Sequence, residues 1–177
     1  MQKISCIVLT LGLAACAEGG SQKPTNQLAF NDFENVEGWS GDAPVPSLTQ
    51  EQAHSGTRAV RVAEGLDYSL GYRNTLGRMG RKPPQKIKVE GWVYAAAAQP
   101  ASVLVTQLRN PTTNQDILWK GLNLADLVKT KHSWVRVEQT VALPATATPE
   151  SQLLVYLWRN GSPQPTYLDD LRITSVD

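Results

Sequence analysis

Apolar and polar side chains alternate along most of the chain, which is the pattern of a β-strand with one buried face. The clearest run is 86–95, in which Ile87, Val89 and Val93 share one parity and mostly polar or aromatic residues take the other. Proline, glycine and asparagine separate the runs and predict turns. Similar runs, each predicted to be a strand, occur at 28–34, 58–62, 66–73, 102–108, 116–119, 134–143, 152–159 and 166–174.

The predicted strands follow one another with almost no helical pattern between them. About eight to ten strands at spacings of roughly 10 to 20 residues are typical of a sandwich or a jelly roll. Residues 122–128 are the exception, and they predict one or two helical turns with Asn123 as the cap. The sequence therefore predicts an all-β fold, an antiparallel β-sandwich of the jelly-roll type.

The last predicted strand, 166–174, contains an acidic residue in an unexpected place. Tyr167, Leu171 and Ile173 share one parity and predict an apolar face, and Asp169 falls on that same face. A carboxylate that points into a core is unfavourable unless it is paired, hydrogen-bonded or bound to a metal ion. Either Asp169 has such a partner or the alternation of this strand has been misread.

Three kinds of partner remain open for Asp169 at this point. It binds a metal ion, it accepts hydrogen bonds from backbone N–H groups, or it pairs with Arg58 or Arg61. Asp170 has the opposite parity and is expected to face solvent.

The first 15 residues have the composition of a signal peptide. Lys3 precedes an apolar run at 4–13, which has the length of a signal-peptide core and is too short for a permanent membrane helix. Residues 13–16, Leu-Ala-Ala-Cys, resemble the lipobox of bacterial lipoproteins. This resemblance implies cleavage before Cys16, acylation of its thiol and a lipid anchor in the bacterial cell envelope, either at the outer membrane and periplasm or at the cell surface. The alternative is an ordinary secretory signal that is cut near Ala17.

The leader also changes the cysteine count and the charge. Cys6 would be removed and Cys16 acylated, so no disulfide is expected in a domain of residues 28–177 that follows a flexible tether at 16–27. The chain has 17 Lys and Arg and 16 Asp and Glu, and Lys3 lies in the leader, so the mature protein is nearly neutral. Such a balance excludes the basic footprint of a nucleic-acid-binding protein.

Five short motifs occur in a characteristic order. They are Asn-Asp-Phe-Glu with Gly-Trp at 31–39, Ser-Gly-Thr-Arg-Ala-Val-Arg-Val at 55–62, Val-Glu-Gly-Trp-Val-Tyr at 89–94, Trp-Val-Arg-Val at 134–137 and Tyr-Leu-Asp-Asp-Leu at 167–171. Together they resemble the carbohydrate-binding modules of the galactose-binding-like jelly-roll superfamily, in particular modules attached to cellulases and xylanases. The resemblance covers 28–176 and implies a glycan-binding role.

The same resemblance implies a structural calcium ion between the first and last strands. Its carboxylate ligands would be Glu34 and Asp169, and backbone carbonyls near Ser55 and Gly56 would complete the shell. Hard oxygen ligands of this kind suit calcium.

Aromatic residues on the polar face of two strands are the candidate glycan-binding groups. Sugar rings stack on flat aromatic side chains and hydrogen-bond to polar groups beside them. The alternative is that these rings pack in a second layer under loops, while Trp39 and Trp134 are expected in the core. The predicted groove consists of Trp92, Tyr94, Tyr156 and Trp158, with Arg136, Glu138 and Gln107 as polar neighbours on the same sheet.

No catalytic constellation is apparent, and we expect a binding module rather than an enzyme. The two histidines, His54 and His132, occur without a Gly-x-Ser-x-Gly turn. Glu90 and Glu138 lie at outward parity on predicted strands and are the candidate carboxylate pair for glycoside hydrolysis, but solvated charges on a strand face are the favoured interpretation. The favoured function is a non-catalytic glycan-binding module on the cell envelope. The alternatives are an envelope scaffold protein that binds no sugar and, less favoured, a polysaccharide-degrading enzyme.

Overall fold

The structure is a computed structural model that describes residues 25–41, 43–80 and 82–176. The predicted signal peptide, Cys16 and most of the predicted tether lie outside these residues, so the predictions made for them stay predictions. In the described ranges, no helix is long and apolar enough to cross a membrane.

The described chain forms ten β-strands in two antiparallel sheets. A six-stranded sheet has the order β2-β3-β10-β5-β8, with β1 also paired to β10, and a four-stranded sheet has the order β4-β9-β6-β7. Short helical turns occupy α1 (Glu37–Ser40), Leu76–Arg78 and Leu124–Asp126. The strands are β1 (Gln27–Asn31), β2 (Leu48–Thr49), β3 (Ala59–Val62), β4 (Tyr72–Thr75), β5 (Lys86–Ala95), β6 (Val103–Arg109), β7 (Asp116–Asn123), β8 (Trp134–Ala142), β9 (Gln152–Trp158) and β10 (Thr166–Ser175).

The core lies between the sheets and is built from the apolar parities of the strands. Val89 and Val93 of β5 are fully buried, as are Val155 and Leu157 of β9 on the other sheet. The predicted all-β antiparallel sandwich of the jelly-roll type is therefore confirmed. The main differences are at 66–73, where only β4 is regular, and at 122–128, where Asn123 makes no capping hydrogen bond to the short 3-10 turn that follows.

The alternation predicted for β10 is wrong because the strand contains a β-bulge. Its register against β5 shifts between Asp169 and Arg172, and Asp170 has a φ of 50°. A bulge adds one residue and moves the following side chains to the other face. Leu168 before the bulge and Leu171 and Ile173 after it therefore all point into the core, while Asp169 stands opposite Trp92 on the outer face.

The bulge also marks the point where β10 changes partners on one side. Residues 166–168 pair with β3, whereas 171–174 pair with β1. Asp169 and Asp170 lie at the junction, with the loop that precedes β3 beside them.

Candidate functional site

Each sheet has one face in the core and one outer face, and the two outer faces differ. The open face is the outer face of the four-stranded sheet, and the covered face is that of the six-stranded sheet. The open face carries Val103, Val105, Gln107, Trp119, Leu154, Tyr156 and Trp158. The covered face carries Lys88, Glu90, Trp92, Tyr94, Arg136, Tyr167 and Asp169.

The six predicted ligand-binding residues are divided between these two faces. Gln107, Tyr156 and Trp158 lie on the open face, whereas Trp92, Tyr94 and Arg136 lie on the covered face. The single groove drawn from the sequence is therefore wrong. The reason is that β5 and β9 belong to opposite sheets, so their outward faces point away from each other.

The open face also carries two exposed aromatic rings, Tyr68 and Trp119, that were not among the predicted site residues. Tyr68 is 58% exposed and Trp119 is 47% exposed. Tyr68 packs edge-on against Tyr156 with ring centroids 5.8 Å apart. Trp119 packs edge-on against Trp158 with ring centroids 6.4 Å apart. Four rings thus form two T-shaped pairs on one surface. The signal that was available is the position of Trp119 on a predicted strand at the parity opposite Leu118.

Two glycines allow these rings to lie against the backbone. A Cβ at Gly121 would lie 2.7 Å from the outer edge of the Trp119 indole. A Cβ at Gly71 would lie 2.7 Å from the Cβ of Tyr156. Any larger residue would displace the aromatic side chain, so the flat surface depends on both positions.

A chain of hydrogen bonds holds the polar groups of the open face in place. The Tyr156 hydroxyl donates to Oε1 of Gln107 at 3.3 Å, and Nε2 of Gln107 donates to Oδ1 of Asp116 at 2.7 Å. Burial raises the pKa of Tyr156, and the Trp119 side chain that hydrogen-bonds to it offsets the shift only in part. The phenol is therefore a neutral hydrogen-bonding group at physiological pH.

Beside this polar chain, the open face contains a groove of about 470 Å³. Trp39, Tyr68 and Tyr156 supply aromatic walls, and Arg73 and Arg109 supply charged groups. Trp39 is half-buried and also packs edge-on against Tyr72, so it borders both the core and the groove. Aromatic walls with a few fixed polar groups are the composition of a sugar-binding cleft.

The rings of the covered face are occupied by contacts within the protein. The His54 ring stacks on Trp92 with centroids 4.0 Å apart and an interplanar angle of 13°. Tyr94 contacts both Tyr167 and Trp134, at 5.7 and 5.6 Å. Trp134 was expected in the core, but it is half-buried on this outer face. The covered face thus matches the alternative of a second layer under loops.

Glu34 and Asp169 hold the loop that covers this face. Oδ2 of Asp169 accepts the N–H groups of His54 and Ser55 at 2.7 and 3.1 Å. Oε1 of Glu34 accepts the N–H groups at 57 and 58 at 2.8 and 2.6 Å. Gly56 lies between them with a φ of 58°, and a Cβ there would clash with the Glu34 carboxylate. The two acidic residues from opposite ends of the domain therefore bind one five-residue segment, 54–58.

The carboxylates do not fit the calcium site that the resemblance implies. The backbone presents N–H groups to them rather than carbonyl oxygens, and the remaining oxygens accept bonds from the Thr57 hydroxyl and the Asp170 N–H. Within the described residues, no cluster of three or more His, Cys, Asp or Glu side chains is arranged to hold a metal ion. Calcium binding stays a prediction, and the geometry favours the alternative in which Asp169 accepts backbone N–H groups.

The environments of the two carboxyl groups shift their pKa values in opposite directions. Burial raises the pKa of Asp169, and the N–H groups of Ser55 and His54 offset this only in part. The backbone N–H of Thr57 is the main cause that lowers the pKa of Glu34. Both groups act here as hydrogen-bond acceptors, and Glu34 is the one stabilised as an anion.

Asp170 was expected to face solvent, but its carboxylate is engaged. Oδ2 lies 2.6 Å from Nδ1 of His54, and Oδ1 accepts the Ser55 hydroxyl at 2.7 Å. A Ser-His-Asp relay requires the serine to contact the histidine. Here both side chains bond to the same carboxylate, which is the geometry of a structural clamp on the loop.

Glu90 and Glu138 stand opposite each other on β5 and β8 rather than across a cleft. Lys88 and Arg136 lie 2.7 and 2.9 Å from Oε2 of Glu90. Burial opposes ionisation of Glu90, but these cations outweigh it and lower the pKa. A general acid needs a raised pKa, so this pair is better described as a salt-bridge network.

No protein-family model and no curated protein sequence matches this chain. Solved structures of carbohydrate-binding modules do share its fold. A xylan-binding module of family 22, the first in Xyn10C of Paenibacillus barcinonensis, has a TM-score of 0.56 and 22% identity over 86% of this chain and 96% of its own. The second module of that protein has a TM-score of 0.51 and 20% identity over 84% and 99%. The C-terminal family 22 module of Clostridium thermocellum Xyn10B has a TM-score of 0.53 and 16% identity over 85% and 93%. At such identities the likeness establishes the jelly-roll fold.

Proposed function

We propose that this protein is a non-catalytic glycan-binding module whose binding surface is the open face. The observation that carries the proposal is the grouping of Tyr68, Trp119, Tyr156 and Trp158 on one outer surface beside a polar groove. Exposed aromatic surface of this extent is unfavourable in water unless a ligand uses it. Because the similar solved modules are described as xylan-binding, xylan is the first polymer to test.

The test is affinity electrophoresis through gels that contain xylan or another plant polysaccharide. Tyr156→Ala removes a groove wall and a hydrogen-bonding hydroxyl, so the retardation of the protein should be lost. Phe30→Ala is the matched control, since Phe30 is 38% exposed but lies on β1, away from the open face. Equal retardation of the parent protein and Tyr156→Ala would contradict the proposed surface.

A glycan array distinguishes this function from the two alternatives. A protein that binds no glycan on the array, yet keeps its fold, would be better described as an envelope scaffold that uses the open face for a protein partner. Release of reducing ends from a bound polysaccharide would instead indicate an enzyme. We expect glycan binding without product release.

We also propose that the module is displayed on the bacterial cell envelope through lipid on Cys16. The Leu-Ala-Ala-Cys sequence at 13–16 supports this, and two or more acyl chains would make the attachment stable. Metabolic labelling with a palmitate analogue should mark the parent protein and leave Cys16→Ser unmarked. An unmarked parent protein with a new N-terminus near Ala17 would indicate an ordinary secretory signal.

A further inference from the structure

The charges that line the groove are not balanced. Nε of Arg109 lies 3.4 Å from Oδ1 of Asp116, and one of its terminal nitrogens donates to Asn114. The Arg73 side chain is exposed on β4, and no hydrogen bond or ion pair joins its guanidinium to any residue that the structure describes. The groove therefore contains one arginine whose charge has no partner among the residues that the structure describes.

The two carboxylates nearest the groove each accept protein donors through one oxygen. Oδ1 of Asp116 accepts hydrogen bonds from the side chains of both Gln107 and Arg109. Asp67, the acidic residue next to Tyr68, accepts the Arg159 side chain at 2.6 Å. Neutral sugar hydroxyls need donors and acceptors together, whereas a carboxylate needs donors only. The groove is rich in donors, and this favours an anionic group on the ligand.

We propose that the groove selects a glycan that carries a uronic acid, with Arg73 as the residue that binds its carboxylate. The proposal rests on the glycan-binding function proposed above. A guanidinium offers paired N–H donors that match a carboxylate in geometry and charge.

The position of Arg73 suits this role. Arg73 stands opposite Leu154 across the pairing of β4 with β9, and Tyr156 follows Leu154 by two residues on the same face. Two residues along a strand span roughly 7 Å, about the size of one sugar ring. A uronic acid that stacks on Tyr156 therefore places its carboxylate within reach of the Arg73 guanidinium.

The experiment compares a glucuronic-acid-substituted xylan with the same polymer after its carboxyl groups have been reduced to alcohols. The parent protein should bind the acidic polymer about tenfold more tightly, as expected for one charge-assisted contact. Arg73→Gln should abolish this preference and keep binding to the reduced polymer. Arg73→Lys should keep part of the preference. Arg78 is an exposed arginine outside the groove, so the control variant Arg78→Gln should leave the preference unchanged.

The outcomes separate this inference from the function on which it rests. Equal affinity of the parent protein for both polymers overturns the carboxylate selectivity and leaves glycan binding intact. A preference that survives Arg73→Gln overturns the role of Arg73. Failure to bind either polymer overturns the proposed function itself. The preference should also shrink as ionic strength rises, because salt screens an exposed ion pair.

Discussion

The two outer faces of this sandwich begin from the same pattern and end in different states. Trp92 and Tyr94 on β5, and Tyr156 and Trp158 on β9, alternate in the same way with core residues. On the covered face His54 and its loop lie over Trp92, whereas on the open face the rings pack edge-on against one another in two pairs. The sandwich thus closes one aromatic surface and leaves the other free for a ligand.

The difference comes from the loop at 54–58. Its N–H groups are bound by Asp169 and Glu34, and its histidine is fixed by Asp170. Nothing comparable crosses the open face among the residues that the structure describes; there Tyr68 lies at the side of the groove. An aromatic residue on an outer face therefore indicates a binding site only where no loop is anchored above it.

The sharpest test replaces one tryptophan on each face with alanine, in two separate variants. Trp158→Ala should weaken glycan binding by about thirtyfold or more, the effect of losing a binding hot spot, with a small loss of stability. Trp92→Ala should leave binding unchanged and lower the free energy of unfolding by about 3 kcal/mol, as a packed ring is removed. Affinity electrophoresis and urea unfolding measure the two effects. Loss of glycan binding in Trp92→Ala would break the distinction between the faces.

The covered face should depend on Asp169. Asp169→Ala leaves the N–H groups of His54 and Ser55 without an acceptor and should lower the free energy of unfolding by about 3 kcal/mol. Asp169→Asn keeps one acceptor oxygen and should be less destabilising. We expect the acceptor oxygen to be the important feature, because both N–H groups donate to Oδ2. An asparagine variant as unstable as the alanine variant would contradict this.

Glu34 should make stability depend on pH. Its pKa is lowered in the folded state below the ordinary value of 4.5, so its contribution is present above that value and is lost as pH falls through the folded pKa. The difference in the free energy of unfolding between the parent protein and Glu34→Gln should therefore become smaller as the pH falls from about 7 to about 3. Urea unfolding at both pH values measures it, with Glu37→Gln on the exposed helix as control. A difference that is constant with pH would assign Glu34 no role as an anion.

Removal of divalent cations should have the smallest effect. Since the carboxylate oxygens of Glu34 and Asp169 already accept protein donors, an excess of chelator should leave the melting temperature unchanged. Calcium present at about 100 times its Kd would instead contribute about 2.7 kcal/mol, which corresponds to a shift of several degrees. Such a shift would support the calcium ion that the family resemblance implies, and it would require the loop to present carbonyl oxygens.

Local alternation predicted most of this architecture because each strand shows its own buried parity. The strand β5 has the predicted bounds, and β8, β9 and β10 differ by about one residue at one end. The resemblance also selected Glu34 and Asp169, the two acidic residues that bind the loop at 54–58. Alternation assigned Asp169 to the wrong face, because a bulge leaves no mark on the hydrophobic pattern.

Only part of the candidate site could be predicted from the sequence. Tyr156, Trp158 and Gln107 were identified because their parity shows that they point away from the core. Tyr68 lies in the predicted strand at 66–73 with the parity of Leu66, Leu70 and Tyr72, so alternation did not indicate an exposed ring. In the structure it precedes β4.

By itself, the sequence determined that this chain forms a jelly-roll sandwich, which side of each strand is buried, and that aromatic residues occupy some of the outward positions. Only the tertiary structure decided which sheet each strand joins, and therefore which rings share a surface. It also decided which surface a loop would cover. The physical reason is range: side-chain parity is set by neighbours along one strand, whereas strand pairing and loop anchoring join residues more than 100 positions apart, such as His54 and Asp169.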